Sequence, residues 1–146
     1  MNSAETAERP NRGFAAAAAL RPTMVMTKVE THKVNPCNDL VEIAIMDEPG
    51  SGGAHHNYLL YWPIENGLRH LQIGFQKGPI KEVGVNGVTQ EALLAIVAHR
   101  LECFQAGPFA CEENAQALEH VNAALAVLKA RTLARQKRGV EGTTQA

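Results

Sequence analysis

Aromatic side chains are scarce in this chain, with one tryptophan, two tyrosines and four phenylalanines among 146 residues. Stacked rings interleaved with basic residues, the usual surface for single-stranded nucleic acid, are therefore not available to it. Cysteine is also limited. Cys37, Cys103 and Cys111 are odd in number and show no CxxC spacing, which argues against a disulfide framework and against a zinc site, and leads us to expect a reduced, intracellular protein. Long apolar runs are missing. FAAAAAL at 14–20 is the nearest approach to a signal-peptide core, but alanine is weakly hydrophobic and no small-residue cleavage pattern follows before RPT. No stretch approaches the roughly 18 apolar residues of a membrane span, so no membrane association is expected. A formal net charge of −1 makes bulk binding to nucleic acid or anionic lipid a poor first reading.

The charge that is present is local. From Lys129 onward there are five basic residues and one acidic one, Glu141, so this end carries +4 and the rest of the chain about −5. An apolar content of 45% over this length suffices for one small domain with a core and argues against a second. Residues 1–25 are biased toward alanine, proline and polar residues, lack a usable apolar period, and are expected to form a disordered extension, with Met24 and Met26 as alternative starts. The single domain is placed at 26–142, with a β-region at 26–80 and a helical hairpin at 88–138.

VEIAIMDE, NYLLYWPI and HLQIGFQ are short runs rich in β-branched, aromatic and aliphatic residues and read as strands. EPGSGGAHHN joins the first two, and ENG, a tight-turn signal, joins the second to the third. The simplest arrangement is an antiparallel meander of three or four strands, which needs something packed on its apolar face to be stable. After the glycine-punctuated connector KGPIKEVGVNG the period becomes helical. Thr89 reads as an N-cap, with Leu93, Leu94, Ile96, Val97, Leu101 and Phe104 at helical spacing up to the stop at Gly107-Pro108. A second helix opens near Cys111, with Glu112 and Glu113 favoured in its first turn by the helix dipole. Its seam is Leu118, Val121, Leu125, Leu128 and Thr132, and it runs to about Arg138, longer than the first helix by two turns or more. The fold class is α+β: a small N-terminal antiparallel sheet followed by a C-terminal two-helix antiparallel hairpin.

Continuing that seam past Thr132 leads to Arg135, flanked at i−4 and i+3 by Arg131 and Arg138. Three guanidinium stems thus lie on or beside a face that is apolar further up the helix. One reading is that the helix runs out of core and its last turns become basic, as the dipole favours. Another is an anion pocket, since arginines at the edge of an apolar surface bind phosphate oxygens by bidentate charge-assisted hydrogen bonds. A phosphate-backbone contact is a third, with a small footprint of five charges.

Other motifs carry less. GSGG at 50–53 has no following GK[ST] and reads as a connecting turn or a lid, not a phosphate loop. His55, His56, His70, His99 and His120 show no metal-ligand spacing with one another or with the cysteines, so no metal and no cofactor are expected. No nucleophile is set beside a base, so no catalytic residue is assigned and the chain is not expected to be an enzyme.

The segment at 75–121, FQKGPIKEVGVNGVTQEALLAIVAHRLECFQAGPFACEENAQALEHV, together with RTLARQKRGVEG at 131–142, resembles a phage family. This is the helical-hairpin signal-sponge family shared by type-one Thoeris anti-defence and type-two anti-CBASS proteins. The likeness is nearest to the Thoeris branch, because a β-region containing NPCND and DEPGSGGAHHNY precedes the hairpin. It covers about residues 27–142 and leaves the first 25 without a counterpart.

The resemblance implies a non-enzymatic binder in the cytoplasm of the infected bacterial host. Such proteins capture a cyclic ADP-ribose-type messenger without hydrolysing it, so the host effector is never switched on. In the family an aromatic residue ending helix one, an asparagine early in helix two and two arginines four apart near its end contact the messenger. Those positions here hold Phe104, Asn114, Arg131 and Arg135. A phenylalanine can stack on adenine or close over a ribose, an asparagine offers a donor and an acceptor, and arginines suit a diphosphate. Phe104 equally reads as a core residue and Asn114 as a first-turn residue bonded to backbone. Arg69 and Arg138 are further candidate contacts with no matched family position. The alternative function is a sponge for the cyclic di- or trinucleotides of CBASS, in pockets formed by higher assembly; behind it stand a nucleic-acid-binding or purely structural hairpin.

Asn114 and Arg131 are 17 positions apart on one helix, roughly 25 Å. One compact nucleotide cannot touch both. If all four positions serve one site, Phe104 and Asn114 of one chain must face Arg131 and Arg135 of an antiparallel partner, giving an isologous dimer with two equal pockets. The family implies the same, with dimers that assemble further into hexamers.

Overall fold

In the computed structural model, which describes residues 27–145, the apolar runs form a three-stranded antiparallel sheet in the order β1 (Glu42–Ile45), β2 (Asn57–Ile64), β3 (Gly67–Gly74). The expected extension at 1–25 lies outside the described residues. Pairing of β2 with β3 runs from Asn57↔Gly74 to Ile64↔Gly67, so β3 starts three residues before the His70 at which the sequence pattern begins. The ladder continues to the turn because Leu68 and Arg69 still have Pro63 and Trp62 opposite them. Glu65 and Asn66 make this turn without positive φ, and Gly67 follows with φ 143°, a value that glycine takes readily. On the other edge, Ile45 donates to the Thr27 carbonyl (2.9 Å) and Val29 to that of Ile43 (3.0 Å), a short fourth contact at the Lys28–Ala44 bridge. The Glu42 carboxylate fastens this edge by pairing with Lys28 at 3.1 Å and Lys33 at 3.2 Å. A one-turn helix, α1 (Pro36–Asp39), precedes β1, within the NPCND stretch that the sequence left unassigned.

The connector after β3 is tightly knitted. It contains a second one-turn helix, α2 (Ile80–Val83), and then returns to run parallel beside the end of β3. Gln76 donates to the Val88 carbonyl and Val88 to that of Gly74, both at 2.9 Å. This return requires glycine at 87, where a Cβ would stand 2.4 Å from the Phe75 carbonyl carbon. Asn86 closes the loop through two 2.8 Å bonds to the Lys77 backbone.

The hairpin is α3 (Gln90–Gln105) and α4 (Glu112–Lys137), 16 and 26 residues long. Thr89 caps α3 as expected, its side chain accepting from the Ala92 N–H at 3.2 Å. Cys111 occupies the N-cap position of α4 without a side-chain bond, while its N–H donates to Gln105 Oε1 at 3.0 Å across the turn. On α4 the seam of Leu118, Val121, Leu125 and Leu128 is half-buried as its spacing implies, but Thr132 is exposed and the seam ends at Leu128. The α3 seam is narrower than expected. Leu93, Leu94, Leu101 and Phe104 are half-buried and Ala98 is buried, whereas Ile96 is 65% and Val97 45% exposed, because these two positions fall on the helix flank turned away from the buried Ala98. The ten residues by which α4 is longer give an overhang of about 15 Å beyond α3.

Among the described residues the extensive packing joins consecutive elements: β1 with β2, β2 with β3, and α3 with α4. Neither long helix covers the sheet to any extent, and Leu68 and Leu71, on opposite faces of β3, are both exposed. Among the described residues, Ala44, His56 and Ala98 alone are buried.

Candidate functional site

Because Val88 is tied to the end of β3, the N-terminus of α3 starts beside the sheet end, and the overhang of α4 passes the same region. Between them lies a cleft of about 1150 Å³. At its sheet end stand Tyr58 and Phe75, packed edge to face with ring centroids 5.6 Å apart. The helix end carries Lys129, Arg131 and Arg135. A cleft lined by both an aromatic pair and a guanidinium pair has groups that can take a ring and an anion of one ligand.

The two arginines differ. Arg131 is exposed and makes no hydrogen bond or ion pair among the described residues. Arg135, with 16% of its side chain exposed, is enclosed by the segment that follows α4. Its Nε donates to Glu141 Oε2 at 3.1 Å, Nη1 to the Gln145 carbonyl at 2.7 Å, and Nη2 to the carbonyls of Val140 (3.1 Å) and Thr143 (2.9 Å). The segment is also fixed to α2, where the Lys81 N–H donates to the Gly142 carbonyl at 3.2 Å. Glu141 and the residues after it thereby line the cleft.

The loop before β2 forms another wall, and Asp47 anchors it. The Asp47 carboxylate accepts the N–H groups of His56 (3.0 Å) and Asn57 (3.1 Å), and His55 Nδ1 donates to the Asp47 carbonyl at 2.6 Å. Burial by itself disfavours the charged carboxylate, but the Asn57 and His56 amides, aided by His55 and Lys77, outweigh it and hold the group below its ordinary range. His56 is 6% exposed with Nδ1 lacking a partner, and its ring packs close to Gly50, where a Cβ would come within 3.4 Å of that nitrogen.

Phe104 and Asn114 are elsewhere, at the hairpin turn. Phe104 packs edge to face on Phe109 (6.4 Å) and carries the Arg100 guanidinium 4.9 Å above its ring. Asn114 Nδ2 donates to the Phe109 carbonyl at 3.3 Å. Within one chain, then, the four matched positions form two pairs at opposite ends of α4. Arg138 is the exposed C-cap of α4 and Arg69 is exposed on β3 opposite Trp62; neither lines the cleft. Sequence reasoning did not single out Tyr58 or Phe75, since a strand pattern does not tell which ring lines a cleft, and it weighed His56 only as a metal ligand. Glu141 carried a signal, as the one acidic residue of the basic end. No group of histidine, cysteine and carboxylate residues among those described is arranged to hold a metal ion, and no helix among them is long and apolar enough to cross a membrane.

Residues 68–133, from β3 through most of α4, match the family described as the Acb2/Tad1 hairpin domain. Thoeris anti-defense 1 of Bacillus phage SBSphiJ7 is 49% identical over 71 residues, which are 49% of this chain and 50% of that protein. The match thus spans about half the length of the curated relative. The likeness to the Acb2/Tad1 hairpin domain thus takes in the end strand of the sheet, α3 and most of α4, the part of the chain that carries Phe104, Asn114 and Arg131.

Proposed function

We propose that the protein is a phage anti-Thoeris factor that captures a cyclic ADP-ribose-type messenger in the infected host and holds it without cleaving it. The observation that carries this reading is Arg131, an unpartnered guanidinium in a cleft that Tyr58 and Phe75 also line. A cyclic ADP-ribose-type messenger offers a diphosphate to the arginine and an adenine to a ring. The name of the Bacillus phage relative supports the anti-Thoeris assignment. In this reading Phe104 and Asn114 come from a second copy of the chain, because roughly 25 Å of α4 separates them from the arginines of their own chain. The dimer then closes each cleft with the hairpin turn of the partner.

The test is to incubate the purified protein with messenger from an activated Thoeris sensor, filter, heat the retained protein, and assay both fractions for effector activation. Activity that leaves the filtrate and returns on heating identifies reversible capture. Activity that stays in the filtrate refutes it and directs the search to cyclic oligonucleotides; activity lost for good means an enzyme.

A further inference from the structure

We propose that Glu141 is a built-in competitor at the anion end of the cleft, holding Arg135 until an entering diphosphate displaces it. The proposal rests on the reading of the cleft as an anion site. A guanidinium has five N–H donors, and Arg135 uses four of them on the chain that follows it. Three of the acceptors are carbonyls with partial charge. Glu141 alone brings a full negative charge, so it is the acceptor that another anion can replace at no electrostatic loss.

Geometry makes the exchange local. Arg131 stands one turn before Arg135, lines the same cleft and is unpartnered, and therefore serves as the first docking point. Glycines at φ 70° (Gly139) and 75° (Gly142) bracket Glu141, so the segment can swing on backbone that tolerates either sign of φ. A single phosphate group at Arg131 gains one contact and leaves the Glu141 pair intact. Two linked phosphates reach both arginines, and the second displaces the carboxylate. Glu141 thus sets a selectivity for diphosphates over monophosphates.

The experiment titrates inorganic pyrophosphate and inorganic phosphate into the full chain and into Glu141→Gln, with amide hydrogen exchange followed over residues 139–145. Glu141→Gln is expected to bind pyrophosphate about two- to fivefold more tightly than the original chain, the range set by a partly exposed ion pair. Phosphate should gain as well, narrowing the preference, and pyrophosphate should speed exchange at Val140 and Thr143 in the unsubstituted chain. Glu141→Ala provides a second variant and the same expectation. Unchanged or weaker pyrophosphate binding in both variants, no binding in any of the three proteins, or slower exchange on adding pyrophosphate would overturn the proposal. Messenger capture is scored separately by filtration: capture with an unaffected Glu141→Gln removes the competitor and leaves the sponge, whereas absence of capture removes the sponge itself.

Discussion

Arg131 and Arg135 lie one helical turn apart in the same cleft, yet the first guanidinium is bare and the second is enclosed by four bonds from its own chain. Replacing them therefore has different consequences. Arg131→Ala should weaken messenger capture by about tenfold or more, the worth of a charge-assisted hydrogen bond to a phosphate. It should leave stability within about 0.5 kcal/mol, as for an exposed side chain without partners. A urea titration alongside the filtration assay checks both. Arg135→Ala should weaken capture and also free the 139–145 segment, visible as faster amide exchange there.

The composite pocket makes a prediction about mixtures. Phe104→Ala and Arg131→Ala each disable both pockets of an isologous dimer. Mixed and allowed to exchange subunits, they form dimers in which one pocket carries both changes and the other neither. About a quarter of all pockets should then recover, given random pairing of two equal populations. No recovery, with subunit exchange confirmed by native mass spectrometry, would mean that Phe104 and Arg131 act in one chain or not in one pocket.

Gly87→Ala should be strongly destabilising. Its Cβ would fall 2.4 to 2.6 Å from backbone atoms of Phe75 and Gln76, which cannot rotate away as a side chain end can. Forced separation of Val88 from β3 should cost about 2 kcal/mol or more, within the range for overpacking a close contact. The check is the urea midpoint, with Gly74→Ala as a control at a glycine that also lacks positive φ but whose Cβ would meet only the Asn57 side chain, at 3.5 Å.

Asp47 gives the loop before β2 a defined acid response. Its carboxyl is held below the ordinary value, so its contribution to stability is complete above the unfolded-state value near 4 and is lost as pH falls through the lower folded value. Asp47→Asn should melt at a lower temperature than the original chain at pH 7. The gap should shrink below about pH 4 and close once the native carboxylate is protonated. A gap independent of pH would assign the effect to shape instead of charge.

The elements were legible where the sequence states a period or a stop. NYLLYWPI coincides with β2, Thr89 with the cap of α3, and the stretch from Cys111 to Arg138 with the bounds of α4. The one-turn helices at 36–39 and 80–83 were not, because one turn has no period to show. The sequence could count Arg131 and Arg135 as alike, since spacing reports the face of a helix but not what folds back onto it. Only the return of the chain at Gly139, carrying Glu141 into contact with Arg135, distinguishes them. Tyr58 and Phe75 were hidden for a related reason: their edge-to-face contact joins β2 to the residue just past β3 at one sheet end, and neither segment alone indicates it.

The pairing of consecutive elements also governs how the chain reaches its fold. β1 meets β2, β2 meets β3 and α3 meets α4, each element pairing with its neighbour in the chain across one connection. The loops closed in this way are small, which keeps the entropic cost of each pairing low. The sheet can be complete while the hairpin is still being synthesised, since nothing in it waits for α4. The Lys81–Gly142 bond closes a loop around the entire hairpin, so the arginine end of the cleft is complete only when the connector before α3 and the segment after α4 have met.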